Sequence, residues 1–319
     1  MAEEKRVEAK VIYRSNHSQL SLITIMERAG IWDQLGVDVT RMELKRNATE
    51  AEEELLSGRC NVIFGCHITP HVRVINGDPL VCMAQAVNVA EDMLVSTEPV
   101  GDLAELKGKN LAEEKLCNEH GHLNGHPRGT HELYLRDAGI SSDMMGIQAP
   151  TKEKSSVQLL LDGKADAFFT NATREAECKR LGLYTKVMPV FPMVNSITLT
   201  STVPYVQDNP ELYRRMTKGL ALGIAFIHKE KEKTLEALGG QVADRLGIKD
   251  DDELEQYYQK LLNILNPRLC PDYQSLYNAY RIAEIVYPVV KEKGNPVKLW
   301  DLHYVRQLEA EGFFDKIYK

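Results

Sequence analysis

Apolar and polar positions along this chain follow two periods, one of two residues and one of 3.6, and the two take turns. Positions 10–13 read as a strand, followed by the polar run Arg14-Ser15-Asn16-His17-Ser18. Positions 19–29 then carry Leu20, Leu22, Ile23 and Met26 on a helical stripe that stops at Gly30. A second strand is expected at 36–39, a charged helix at 49–57 ending on Gly58, and a buried third strand at 61–64. A helix from about position 70 leads through Gly77-Asp78-Pro79 to a strand at 80–84. Strand, helix, strand, helix, strand predicts a parallel doubly wound sheet.

The pattern then restarts. Positions 91–96 are strand-like, 103–107 a short helix, 110–112 a strand, and 131–138 a helix stopped by Gly139. A helix at 156–162 closes on Gly163 before a buried strand at 165–169. Positions 195–201 alternate, with Ile197 and Leu199 set against Thr198 and Thr200. Beyond them helices are expected at 209–228, 231–246, 252–265 and 273–293. Passages near 94–97 and 195–200 divide the chain into lobe 1, residues 1–95 plus 200–319, and lobe 2, residues 96–199. The expected fold class is α/β, with two doubly wound lobes joined by two crossing strands and a ligand cleft between them.

Six segments, in order, carry a resemblance. "SLITIMERAGIWDQLGVDV", "LLSGRCNVIFG", "LAELKGKNLA", "LLLDGKADAFFT", "NPELYRRMTKGLALGIAFIHKEKEKTLEAL" and "NPVKLWDLHYVRQLEAEGFFDKIY" together resemble the NMT1/THI5-like and sulfonate/nitrate-type substrate-binding proteins. The resemblance covers nearly the whole chain and implies the type II periplasmic-binding-protein fold. Relatives on that fold include a thiamine-pyrimidine synthase, aromatic desulfinases and decarboxylases. The synthase's cysteine-rich run has no counterpart here, and no lysine can be assigned to pyridoxal phosphate. One fold serves many tasks, so the resemblance speaks to architecture before activity.

Composition removes several classes. A net charge of -7 cannot neutralise phosphates in bulk, so no nucleic-acid partner is expected. No stretch approaches the roughly 20 apolar residues of a membrane span. The opening Met-Ala-Glu-Glu-Lys-Arg-Val lacks the basic-then-apolar order of a secretory signal, so a cytoplasmic protein is expected, and a periplasmic one only if the chain is a trimmed mature form. Cys60, Cys66, Cys82, Cys117, Cys178 and Cys270 form neither a CxxC motif nor a compact disulfide framework.

In an open parallel sheet the ligand sits beyond the carboxyl ends of the strands, and four loops there carry titratable groups. The first holds Asn16 and His17, with helix capping as the plain alternative to ligand contact. A desulfinase of the resembling family has a similar Ser-Asn loop with a nucleophilic cysteine where this chain has His17. The second holds Cys66, His67 and Arg73. By the same resemblance Arg73 occupies the place of an arginine directed at a substrate anion, while the bland reading is a surface ion pair. The third runs from Cys117 to His131 and holds four histidines. His122 and His126 are candidate acid–base groups, and His120, His122, His126 and Glu119 candidate ligands for a divalent metal, though no cofactor is required. Arg128, Gly129, Thr130 and His131 would receive an anion at a helix start. The fourth holds Asn171 and Thr173, with Asn195 on the later crossing strand.

Two functions follow. One is a cytosolic enzyme, of lyase or hydrolase type, acting on a small anionic, cyclic or aromatic substrate with His17, His67, His122 and His126 as catalytic groups. The other is the substrate-binding protein of an importer for a small organic anion such as a sulfonate, a carboxylate or a thiamine precursor, with a membrane permease as partner.

Overall fold

The computed structural model describes residues 5–319, apart from the side chains of Thr173 and Ala176. Among the described residues twelve strands occur in chain order: β1 Val7–Tyr13, β2 Val37–Leu44, β3 Val62–Phe64, β4 Leu80–Gln85, β5 Val89–Ala90, β6 Asp92–Ser96, β7 Asn110–Leu111, β8 Gly146–Ile147, β9 Ala167–Asn171, β10 Tyr184–Val187, β11 Phe191–Pro192 and β12 Thr198–Thr202. The chain divides into two compact units. One comprises Met1–Asn88, Val194–Tyr277 and Glu292–Lys319; the other comprises Val89–Met193 and Asn278–Lys291.

The first unit is built on a sheet of order β2-β1-β3-β12-β4. β1 runs parallel to β2 and β3, whereas β12 runs antiparallel to both β3 and β4. The sheet is therefore mixed rather than wholly parallel, because the returning strand inserts between β3 and β4 instead of adding to an edge. Asn61 fixes the β1–β3 register: its Oδ1 accepts from Lys10 N at 2.7 Å, and its Nδ2 donates to Glu8 O at 3.0 Å. The Ser18–Arg28 helix buries Leu20, Leu22, Ile23, Ile25 and Met26. It packs on the long Pro210–Lys229 helix at Gly223, where a Cβ would lie 2.8 Å from both Leu22 Cδ1 and Met26 Cγ. Only a glycine admits that approach.

Several expected helices are divided. The segment at 231–246 forms Lys231–Leu238 and Gln241–Leu246, parted at Gly239-Gly240, where Gly240 has φ +60°. The segment at 273–293 forms Tyr273–Val286 and Pro288–Lys293, because Pro288 has no N–H with which to continue the ladder. The crossing strand starts at Thr198, later than expected, since Ser196 takes φ +51°.

The second unit has a sheet of order β10-β6-β9-β7-β8, in which β7, β8 and β9 are parallel and β6 is antiparallel to β9 and β10. Alternation along β6 and β9 sends Met93, Val95 and Phe168 to one face and Leu94, Ala167 and Phe169 to the other, each into its own core. Two buried faces explain why these strands read as unbroken apolar runs.

Candidate functional site

In the first unit three segments meet at the carboxyl ends of β1 and β3. Gln19, buried in the first turn of the Ser18–Arg28 helix, holds them together. Its Oε1 accepts from the amides of Arg14 at 2.5 Å and Ser15 at 3.1 Å, and its Nε2 donates to Ser196 O at 2.7 Å. Ser18 and Ser196 hydroxyls lie 2.6 Å apart. These contacts hold Ser196 in a left-handed conformation that a non-glycine residue adopts only under constraint. No side chain caps the helix at His17, so its first-turn amides are left for solvent or a ligand. The buried Oδ1 of Asn16 has no hydrogen-bond partner among the described residues.

The charge around this turn is positive. His17 is exposed, and the surrounding protein together with the cations Lys260 and Arg46 lowers its pKa. Arg14 Nη2 donates to Arg46 O at 2.6 Å, and Arg245 Nη2 donates to the Tyr13 hydroxyl at 2.5 Å.

Cys66 follows β3 at φ +58° and is buried. Arg14 Nη1 lies 3.1 Å from its Sγ. Burial nevertheless drives the thiol well above its usual range, the Arg14 charge opposing it only in part. His67 Nδ1 stands 3.0 Å from the Thr198 hydroxyl, which lies 2.5 Å from Gln85 Oε1. Gln85 Nε2 donates to the carbonyls of Val87 and Asn195, so its Oε1 is the acceptor and Thr198 the donor to it. Thr198 must then accept from His67, which places the His67 ring proton on Nδ1. The Asn195 amide also donates to Val87 O at 3.0 Å.

Arg73 is met by Glu52 at 3.2 Å, Glu53 at 3.4 Å and Asp78 at 3.3 Å. Its charge is compensated within the fold, and the Glu52 carboxyl it touches is raised by burial despite the Thr69 hydroxyl and Arg73.

In the second unit the helix expected from position 131 begins at His126 and runs to Asp137, with Pro127 in its first turn. This corrects the expected anion cradle. Gly129 N already donates to Gly125 O at 3.3 Å, and the Thr130 hydroxyl donates to His126 O at 3.3 Å. A Cβ on Gly129 would lie 2.6 Å from Ile282, so this glycine serves helix packing. Arg128 does not present a free fork at the surface. It is buried, its Nε donates to Glu114 O at 2.9 Å, and Glu113 and Glu132 lie 3.4 and 3.6 Å away.

His131 donates from Nδ1 to Glu113 Oε1 at 2.7 Å and stacks on Phe169, ring centroids 4.8 Å apart. Burial raises the Glu113 pKa, but His131, Arg128 and the Phe169 amide outweigh it and hold the carboxyl below its usual value. Asn171 Nδ2 donates to Glu91 O at 3.1 Å. The Thr173 side chain lies outside the described residues.

The histidine-rich segment is a short hairpin rather than an open loop. Asn118 Oδ1 accepts from the amides of His120 and His122, and a bridge pairs Cys117 with Leu123. His120 lies 3.5 Å from Glu119, both well exposed, while His122 tilts toward Tyr287 with centroids 6.4 Å apart. His126 opens the helix. His120, His122, His126 and Glu119 are not drawn together as metal ligands, and no group of three or more His, Cys, Asp or Glu suited to a metal occurs among the described residues.

Sequence reasoning missed Gln19, Gln85, Thr198 and Glu113. Nothing in the local pattern distinguishes these residues from other polar positions; only the fold brings each to its partner. The thiols offer a direct check. Cys60, Cys66, Cys82 and Cys178 are buried, Cys117 is half-buried and Cys270 exposed, and burial lifts the Cys60 and Cys82 thiols to about 12. Under native conditions a thiol reagent should modify Cys270 and Cys117 within minutes and the other four only on unfolding. Mass spectrometry of the modified sites decides it.

Neither a protein-family model nor a curated protein matches the sequence. Solved structures do resemble the fold. A periplasmic sulfonate-binding protein, SsuA, from Methylobacillus flagellatus KT aligns over 98% of this chain and 97% of its own, at 13% identity and a TM-score of 0.73. The periplasmic aliphatic sulphonate binding protein SsuA from Escherichia coli aligns over 92% and 91%, at 15% identity and 0.63. The desulfurization enzyme DSZB aligns over 97% and 100%, at 11% identity and 0.62. Binding proteins and an enzyme thus share one architecture with this chain, which has the type II periplasmic-binding-protein fold.

Proposed function

We propose that the chain is a substrate-binding protein for a small organic anion, received in the first unit at the turn before the Ser18–Arg28 helix. One observation carries this reading: that helix is uncapped and stands in a positive field set by Arg46 and Lys260. Backbone amides and a helix dipole take an anion without any side chain needing to change its charge. Ser18, Asn16 and the Ser196 backbone shape the rim. The structural likeness to sulfonate-binding proteins supports the same reading.

The enzyme reading is weaker in this unit. Where the resembling desulfinase has its nucleophile this chain has His17, and the Cys66 thiol that Arg14 contacts is held protonated by burial. A binding protein of this kind works with a membrane permease. No helix among the described residues is long and apolar enough to cross a membrane, so transport would be that partner's task.

Calorimetric titration with alkanesulfonates, arenesulfonates and carboxylates tests the proposal, with the ligand re-analysed after incubation. Binding that weakens with salt, and ligand recovered intact, is the expected result. Reversing two charges, Arg46→Glu with Lys260→Glu, should cost on the order of 2 kcal/mol, about thirtyfold in Kd. Turnover of the bound anion, or an affinity untouched by the double reversal, would overturn it.

A further inference from the structure

An open cavity of about 340 Å³ lies in the first unit, with apolar walls of Val81, Val203, Val206 and Pro210 and a polar side formed by Asp301, His303 and Tyr304. Its volume suits a small molecule. It stands at the other end of the sheet from the anion-receiving turn. Val203 N donates to Pro79 O at 2.7 Å, just before β4, and the Ser201 hydroxyl donates to Asn61 O at 2.8 Å, just before β3. The turn lies where β1 and β3 end.

The polar side is held by its own hydrogen bonds. Asp301 N donates to Cys82 O at 2.9 Å, which ties it to β4. Asp301 Oδ1 accepts from the His303 amide at 3.0 Å, and Oδ2 lies 2.9 Å from His303 Nδ1. A carboxylate has no hydrogen to give, so Nδ1 carries the ring proton, and Nε2 of the neutral ring is left as an acceptor. The ring also packs on Tyr304, centroids 3.7 Å apart. His303 and Asp301 side chains remain 50% and 49% exposed, open to a ligand in the cavity.

The lining selects the ligand's charge. Among the described residues that form it, none is a lysine or arginine. Burial, and after it the negative charges of Asp301 and Glu211, raise the Tyr304 hydroxyl above its usual range. Arg215 balances Glu211 at 2.7 Å, which leaves Asp301 as the charge that a ligand meets. An anion would face that carboxylate and an imidazole nitrogen with no hydrogen to offer. An ammonium donates to Nε2 and stands beside the opposite charge.

We propose that this cavity is a ligand site separate from the anion-receiving turn, taking a small organic ammonium ion with an apolar body. His303 Nε2 accepts from its N–H, Asp301 balances its charge, and Val81, Val203, Val206 and Pro210 cover its hydrocarbon part.

Benzylammonium, benzyl alcohol and phenylacetate carry the same ring and differ in the polar group. At mildly alkaline pH, benzylammonium should move the His303 Nε2 resonance of wild-type protein saturably. It should bind roughly tenfold more tightly than benzyl alcohol, the value of a hydrogen bond to a charged group. Phenylacetate should leave the resonance in place. Asp301→Asn should weaken benzylammonium about tenfold by calorimetry. Val203→Trp, at a wall position 39% exposed, fills the cavity with the Asp301–His303 pair intact and should abolish the shift. Equal affinity for benzyl alcohol, a His303 shift with phenylacetate, or no saturable shift with benzylammonium at millimolar concentration would each overturn the proposal. So would benzylammonium binding unchanged in a natively folded Val203→Trp or Asp301→Asn protein. These outcomes concern the cavity alone and leave the anion-receiving turn to its own titration.

Discussion

Glu113→Gln is expected to destabilise the second unit by about 3 kcal/mol. The carboxylate is buried and serves His131 Nδ1, the Phe169 amide and Arg128 together. A glutamine keeps the shape but leaves the Arg128 guanidinium without its nearer buried countercharge, and a buried charge that loses its partner is costly. The measurement must report on this unit. Both tryptophans, Trp32 and Trp300, lie in the other unit, so indole fluorescence would miss the effect. Amide exchange along β7 and β9 would register it.

The same substitution should change how stability responds to acid. Glu113 titrates below its ordinary value of 4.5 in the folded protein. A carboxyl whose folded pKa is lowered adds stability that is complete above its unfolded value and disappears as pH falls through the folded one. Wild-type protection of β7 and β9 should therefore drop between neutral pH and the region below 4.5. The Glu113→Gln protein should start lower and lose less over that range. A parallel acid response in both proteins would mean that Glu113 is not the linked group.

The longer strands and their sequence along the chain were largely legible because two periodicities leave a local mark on every few residues, whereas the short strands Val89–Ala90, Gly146–Ile147 and Phe191–Pro192 and the edge strand Tyr184–Val187 were not expected. Alternation marks Thr198–Thr202, the apolar pair Val11 and Ile12 marks the later part of Val7–Tyr13, and Gly30, Gly58 and Gly163 mark helix ends. The orientation of β12 was not legible, since alternation is the same in a parallel and an antiparallel strand. The start of the His126–Asp137 helix was misplaced because Gly129-Thr130 looks like a helix opening, while the informative residue was Pro127, which suits a first turn. Site residues divide in the same way. Asn16 and His17 fall on a loop after a strand and could be named as candidates from position alone. Glu113 could not, because Glu113-Glu114-Lys115 reads as a solvated charge run, yet Glu113 is buried and Glu114 and Lys115 are exposed.

Gln19→Leu is expected to be the most damaging single change at the anion-receiving turn. Gln19 makes three hydrogen bonds, all to backbone: it accepts from the amides of Arg14 and Ser15 and donates to the carbonyl of Ser196. Leucine fills much of the space and supplies none of them. Buried amides and a carbonyl stripped of partners cost about 1–3 kcal/mol each; because the loop can relax toward water, a loss near 3 kcal/mol for the unit is expected. Trp32 and Trp300 report on it. Anion affinity should fall as well, since Arg14 to His17 would no longer be held against Ser196. Gln19→Glu separates the two effects. A carboxylate still accepts from both amides, so much of the stability should return. It cannot donate to Ser196 O, however, and it places a negative charge one residue into the helix whose dipole attracts the ligand. The expected signature is a protein more stable than the leucine variant and weaker still in anion binding. Affinity that instead recovered in step with stability would show that the turn holds its ligand by shape rather than by charge.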